Sequence, residues 1–403
     1  MDFSRVILAD DDATFAAQAR DFLDTHVTDE VKHRVHDTGE SFDETVHLAL
    51  GDRGWLAAQL TPHAEGGFSR LPRRIFDLEK RRARAPYIAW GTTAMVARAV
   101  RKFARPELQN EVLPGVCSGT IRLCLGYTEP EGGSDIMACK TRAVRDGEDW
   151  IINGAKMFTT GAHVSQYVFL ITNTNPDAPK RDSLTMFLVP LNLPGIDVHG
   201  VRCIDGDRTN LTYYNDVRVP DRYRMGEVDG GWTVLRDPLN AEHGAVDADP
   251  DGLQDIAVMQ QQADMLAEAV DGAIARACQP DSHGRCLADD QSVRYRLGRD
   301  YARVEAALST PNILGRVAIA QALREVSADV MDTLGSAAAL PIGVGGAADD
   351  GACEYLFRFA PLVAIYGGTV EVFRNMIAQY VLGLGKPAYA APAPETASRS
   401  TPR

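Results

Sequence analysis

The run Leu125-Gly-Tyr-Thr-Glu-Pro-Glu-Gly-Gly-Ser-Asp135 packs hydroxyls, carboxylates and glycine backbone donors into one short turn. Such a turn can grip a flat, hydrogen-bonding ligand, because glycine lets the backbone come close and hydroxyls both donate and accept. Two further segments have the same character. Asn153-Gly-Ala-Lys-Met-Phe-Thr-Thr160 follows about one hairpin later, and Ile365-Tyr-Gly-Gly-Thr369 with Glu371 lies near the C-terminus. Singly they read as a polar turn, an aromatic residue in a β core and a capped helix start. Converging on one site, the three segments suit a flavin ring and its redox chemistry.

The elements that must position them come in the order helix, strand, helix. From about Ala13 to Leu113 apolar residues recur at helical spacing, with Phe15, Ala19, Phe22 and Leu23 on one stripe and Val46, Leu48, Leu50 and Trp55 on another. From about Ile121 to Trp232 the texture is short β-rich runs, such as Tyr167–Thr172 and Leu184–Val189, punctuated by Asp146-Gly, Asn153-Gly and Pro194-Gly. Helical periodicity then resumes over 256–277, 293–308, 315–334 and 355–382. The pattern predicts an α+β multidomain chain: an N-terminal all-α domain (1–120), a middle β-barrel or sandwich (121–232), a C-terminal helical bundle (233–386) and a loose tail (387–403) rich in Pro and Ala.

Composition narrows the function classes. The 403 residues are 45% hydrophobic and 24% charged, with no apolar run near the ~20 residues a membrane span needs. The N-terminus reaches Asp10-Asp-Asp12 without a basic flank and long apolar core, so no secretion signal is read and a cytoplasmic location is expected. Seven cysteines without a Cys-x-x-Cys pair fit reduced thiols, and the histidines show no metal-ligand spacing, so no metal is expected. A formal charge of −13 opposes nonspecific nucleic-acid binding. The basic residues between Arg70 and Arg84 read as a solvated helix face.

Together the three segments resemble the acyl-CoA dehydrogenase family, and the likeness covers nearly the whole chain. It implies an α-domain, a β-barrel and a four-helix bundle, FAD as cofactor, and an acyl-CoA substrate. In that family a glutamate removes the α-proton while the β-hydrogen leaves as hydride to flavin N5, giving a trans-2-enoyl-CoA; an electron-transferring flavoprotein takes the electrons. By the same likeness Leu125, Tyr127 and Thr128 meet the flavin ring, and Ser134 faces the pyrophosphate or the CoA. Phe158 stacks beside the ring, Thr160 hydrogen-bonds its N5 or O4, and Thr369 and Glu371 belong to the flavin-contacting turn. Ser134, Asn240, His243 and Gly367 fall on the substrate side.

Two departures stand out. Many relatives carry the catalytic glutamate where this chain has Gly367, which cannot abstract a proton. A branch that includes isovaleryl-CoA dehydrogenase carries it after the Gly-Trp turn, immediately before an arginine; the matching dipeptide here is Glu242-His243, making Glu242 the candidate base. The family's adenosine-binding motifs, Arg-x-x-Phe-Gly and Gln-x-x-Gly-Gly, are also not intact around Arg276 and Asp332. The likeness therefore implies a homotetramer, a homodimer or an α2β2 heteromer that borrows its adenosine site from another subunit. Other readings left open are a non-catalytic or co-catalytic subunit and an oxygen-using acyl-CoA oxidase or flavin monooxygenase relative.

Overall fold

A computed structural model describes residues 7–40, 42–86, 88–242, 259–310 and 312–385. The N-terminal region is helical: α1 (Asp10–His26), α2 (Asp29–Thr38), α3 (Glu44–Asp52), α4 (Trp55–Leu60), α5 (Arg70–Arg82), α6 (Ile88–Phe103) and α7 (Pro106–Ser118). Side-chain caps set the starts of α2 and α3. Thr28 accepts from the Val31 N–H at 3.3 Å and Asp43 from the Val46 N–H at 3.1 Å, satisfying amides that have no intrahelical partner.

The strands are β1 (Leu123–Gly126), β2 (Arg142–Asp146), β3 (Asp149–Lys156), β4 (Tyr167–Asn173), β5 (Leu184–Pro190), β6 (Ile196–Arg202), β7 (Arg208–Pro220) and β8 (Arg224–Met225). They run in the order β6-β7-β3-β2-β4-β5-β8, with β1 parallel to β4. β2 meets β4 through a single residue pair, Arg142 with Asn173, so the sheet folds at that seam into two leaves. Trp150 on β3 meets Phe187 on β5 edge-on, ring centres 5.5 Å apart. The expected barrel or sandwich is thus realised as a sandwich, not a closed barrel. Asn153-Gly154 does not end a strand as its dipeptide suggested. It stays within β3 opposite a bulge in β7, where the steps Ile152 to Gly154 pair with Val217 to Tyr214, and a Cβ on Gly154 would lie 2.7 Å from the Thr141 Cα.

Beyond β8 come α8 (Gly231–Glu242), α9 (Gln260–Ala277), α10 (Gln291–Leu308), α11 (Asn312–Leu334), α12 (Ala352–Val363) and α13 (Val370–Met376). The span 355–382 is two helices rather than one, because the Gly367-Gly368 turn divides it. Helices α9 to α12 form a four-helix bundle around Leu266, Val270, Leu323, Val326 and Phe359. The N-terminal helices and the sandwich share a second core, through Val96, Val112, Phe169 and Met186. The Arg81–Asp264 ion pair joins α5 to α9, and Arg358 on α12 donates to the Ile204 carbonyl at 2.9 Å. None of the described helices is long and apolar enough to cross a membrane. The tail expected from 387 lies outside the described residues.

Candidate functional site

The glycine-rich turn leaves β1 with Leu125, Tyr127 and Thr128 half-buried. It closes on itself where Glu129 and Gly132 exchange two backbone hydrogen bonds of 3.0 Å. Glu129 then turns inward. Its carboxylate accepts from Lys156 Nζ at 2.7 Å, from the Thr141 hydroxyl at 2.7 Å, and from the amides of Lys140 at 2.7 Å and Thr141 at 2.9 Å. Lys156 is fully buried, and the Met157 N–H donates to the Thr128 carbonyl at 2.9 Å. The first two segments are thus locked together by a buried ion pair. Burial alone would raise the Glu129 carboxyl, but the Lys156 charge and the converging hydrogen bonds outweigh it and hold the group at about 2. Ser134 is exposed at the rim, beside the Asp135–Lys180 pair of 2.6 Å.

From that lock the chain runs straight into Phe158. Its backbone is left-handed (φ 57°), a conformation that costs a non-glycine residue about 1–2 kcal/mol, and its ring is 56% exposed. A strained residue that presents a large apolar face to solvent is one the surroundings hold there. Thr159 is buried, its N–H donating to the Asn210 carbonyl at 2.9 Å. Thr160 is exposed, its hydroxyl 2.9 Å from that of Thr209.

The third segment is shaped from behind. Arg316 of α11, 2% exposed, donates to the carbonyls of Val363 at 2.9 Å, Tyr366 at 2.7 Å and Gly368 at 3.3 Å. Gly367 and Gly368 have φ of 61° and 94°, which allows the carbonyls to turn onto one guanidinium. Thr369 caps α13, accepting from the Val372 N–H at 3.2 Å, and Glu371 is exposed in the first turn. The β6–β7 turn bridges this segment to the second. Thr209 touches Thr160, while the Ile204 carbonyl of the turn accepts from Arg358 of α12, and Phe359 links Tyr355 to Tyr366 by ring contacts of 5.7 and 6.3 Å. Burial, and then the Asp205 charge, push the Asp207 carboxyl up to about 6.

Helix α8 begins where Gly231 lies tight against the β5 backbone; a Cβ there would sit 2.7 Å from the Leu184 carbonyl oxygen. The last turn of α8 carries Asn240 and Glu242. The side chains of both, and His243 altogether, lie outside the described residues.

Residue types and order gave no role to Lys156, Glu129, Arg316, His163 or Asn210. One signal for the first was available: Lys156 shares the inward parity of Trp150 and Ile152, and a buried lysine requires an acid.

Residues 9–120, 124–217 and 256–382 match the descriptions "Acyl-CoA dehydrogenase" N-terminal, middle and C-terminal domain in turn. Acyl-CoA dehydrogenase IpdE1 of Mycobacterium tuberculosis is 30% identical over 343 residues, 81% of this chain and 83% of its own length. The chain belongs to the acyl-CoA dehydrogenase family.

Among solved structures, the ChsE4-ChsE5 complex from Mycobacterium tuberculosis superposes with a TM-score of 0.79 at 27% identity, covering 95% of this chain and 100% of the matched one. The Tcur3481-Tcur3483 steroid ACAD does so with 0.79 at 28%, covering 96% and 100%. As a family member this acyl-CoA dehydrogenase is FAD-dependent. Its residues fit a flavin ring: a flat aromatic face is held in the open at Phe158, with the hydroxyls of Thr128 and Thr160 on the adjoining backbone.

Proposed function

We propose that the chain catalyses α,β-dehydrogenation of an acyl-CoA thioester to the trans-2-enoyl-CoA, with Glu242 as the base. The observation that carries this reading is the locked pair of segments that keeps Phe158 exposed on strained backbone. FAD, when bound, supplies the two-electron acceptor.

Leu125, Tyr127 and Thr128 line one edge of the ring site, Phe158 gives it a flat face, and Thr160 offers a hydroxyl to the polar edge. Thr369 and Glu371 complete the flavin turn. Ser134 takes the pyrophosphate or CoA side; Asn240, His243 and Gly367 line the substrate. Glu242 removes the α-proton, and a carboxylate placed in apolar surroundings has its affinity for that proton raised towards the working pH. An electron-transferring flavoprotein is the proposed acceptor.

Anaerobic titration against straight, branched and polycyclic acyl-CoA thioesters tests the reaction; the last class is included because one structural neighbour is the Tcur3481-Tcur3483 steroid ACAD. Bleaching of the flavin by at least one thioester is the expected result. No bleaching by any of them, with or without a partner chain, would overturn it. Rapid oxygen consumption by the reduced flavin would point instead to oxidase or monooxygenase chemistry.

A second observation favours a heteromeric assembly over a homotetramer or homodimer. In the stretch where relatives carry Arg-x-x-Phe-Gly, Arg276 bonds Gln279 at 3.0 Å, and Asp281 accepts from the amides of His283 and Arg285 in a local turn. An α2β2 partner would then provide the adenosine half. Purified alone, the chain is expected to retain well under one FAD per protomer and to reach full occupancy with its partner; full occupancy alone would dismiss the borrowing.

A further inference from the structure

The strained Phe158 turn must be held by something beyond its own residues, and a closed polar network lies directly behind it. Asn210, fully buried on β7, donates from Nδ2 to the Thr159 carbonyl at 3.0 Å and reaches His163 Nδ1 at 3.1 Å. Its Oδ1 accepts from Arg208 Nε at 3.3 Å. His163 Nε2 lies 2.7 Å from both carboxylate oxygens of Glu40, in the loop after α2. Arg208 closes the circuit: its N–H donates to the Gly39 carbonyl at 2.8 Å and its guanidinium stands 3.8 Å from Glu40.

The partners fix each proton. A carbonyl can only accept and a guanidinium can only donate, so Asn210 cannot be turned end for end: its amide must face Thr159 and its oxygen must face Arg208. The second amide hydrogen then points at His163 Nδ1, which must be a bare acceptor. The imidazole proton sits on Nε2 and is donated to Glu40. One tautomer of one histidine therefore ties the N-terminal helices to the carbonyl of the residue between Phe158 and Thr160.

We infer that His163 is a positioning residue for the cofactor turn: through Glu40 on one side and Asn210 on the other it holds Thr159, and so keeps Phe158 and Thr160 aimed at the flavin. The inference rests on the reading of Phe158 and Thr160 as ring contacts. Glutamine can reproduce both halves of the relay, an oxygen for Asn210 and an N–H for Glu40; leucine can reproduce neither.

The full chain, in the assembly in which it binds FAD, is compared as wild type, His163→Leu, His163→Gln and Phe158→Ala. His163→Leu is expected to weaken FAD binding about tenfold or more, the loss of one charge-assisted, partly buried hydrogen bond, and to shift the flavin spectrum and reduction potential. His163→Gln is expected to restore all three. Equal FAD affinity and potential in wild type and His163→Leu would overturn the relay. So would failure of His163→Gln to bind better than His163→Leu. If Phe158→Ala binds FAD like wild type, it is the cofactor reading of the turn that falls.

A measurement independent of FAD uses protein labelled with 15N-histidine, the signal being assigned by its loss in His163→Gln. A bare Nδ1 and a protonated Nε2 are expected; a proton on Nδ1 would overturn the relay.

Discussion

Glu242→Gln is expected to give a folded, yellow protein whose flavin no longer bleaches when thioester is added without oxygen. The glutamine keeps the shape and polarity of the side chain but cannot take a proton, so only the base function is lost. A positioned general base contributes about 10²–10⁴-fold, and the bleaching rate should fall by that factor while FAD content stays at the wild-type level. Rapid-mixing absorbance at the flavin band reads the rate directly. An unchanged rate would show that the α-proton leaves to another group. Asp207, whose carboxyl is already pushed up to about 6, would then be the first acid to test.

Lys156→Met should be the most damaging single change to the fold of the site. It strands the Glu129 carboxylate, 7% exposed, without its counter-charge, and removing one partner of a buried pair costs about 3–5 kcal/mol. Against a typical domain stability of about 5–15 kcal/mol, that is a large fraction. The double change Lys156→Met with Glu129→Gln leaves no unpaired charge and is expected to recover part of the loss in chemical denaturation. A double variant no more stable than the single one would show that the lysine acts by packing alone.

The same pair gives the site its acid limit. The Glu129 carboxyl is held at about 2 in the fold against 4.5 when unperturbed. A depressed folded value means that its contribution is complete above the ordinary carboxylate range and is lost as pH falls from about 4.5 towards 2. Denaturation followed over that window should show a slope in wild type that Glu129→Gln reduces.

Much of this was legible in the residues, for reasons that are local. The helix-strand-helix order follows from periodicities of 3.6 and 2, which backbone geometry imposes on any buried face. Thr369 was readable as a cap because a threonine before an apolar helical run satisfies an amide that has no other partner. Interactions between distant segments were not legible. Asn153-Gly154 looked like a turn because the dipeptide does not reveal that Asn153 exchanges two 2.9 Å hydrogen bonds with Asp216 across the sheet and stays in the strand. Lys156 and Glu129 are 27 positions apart and become partners only when β3 lies beside the end of β1. Arg316 precedes the turn it shapes by some fifty positions. His163, Asn210 and Glu40 come from three parts of the chain, and no spacing rule joins them.

The clasp that Arg316 makes on the Gly367-Gly368 turn limits what position 367 can carry. With φ at 61°, Gly367 sits where any L-amino acid bearing a side chain would be disfavoured by about 1–2 kcal/mol. Grafting a carboxylate at 367, the location used by many relatives, would require the loop to release the guanidinium or bear that distortion. A proton acceptor at this turn would thus be installed at the cost of the clasp that shapes it.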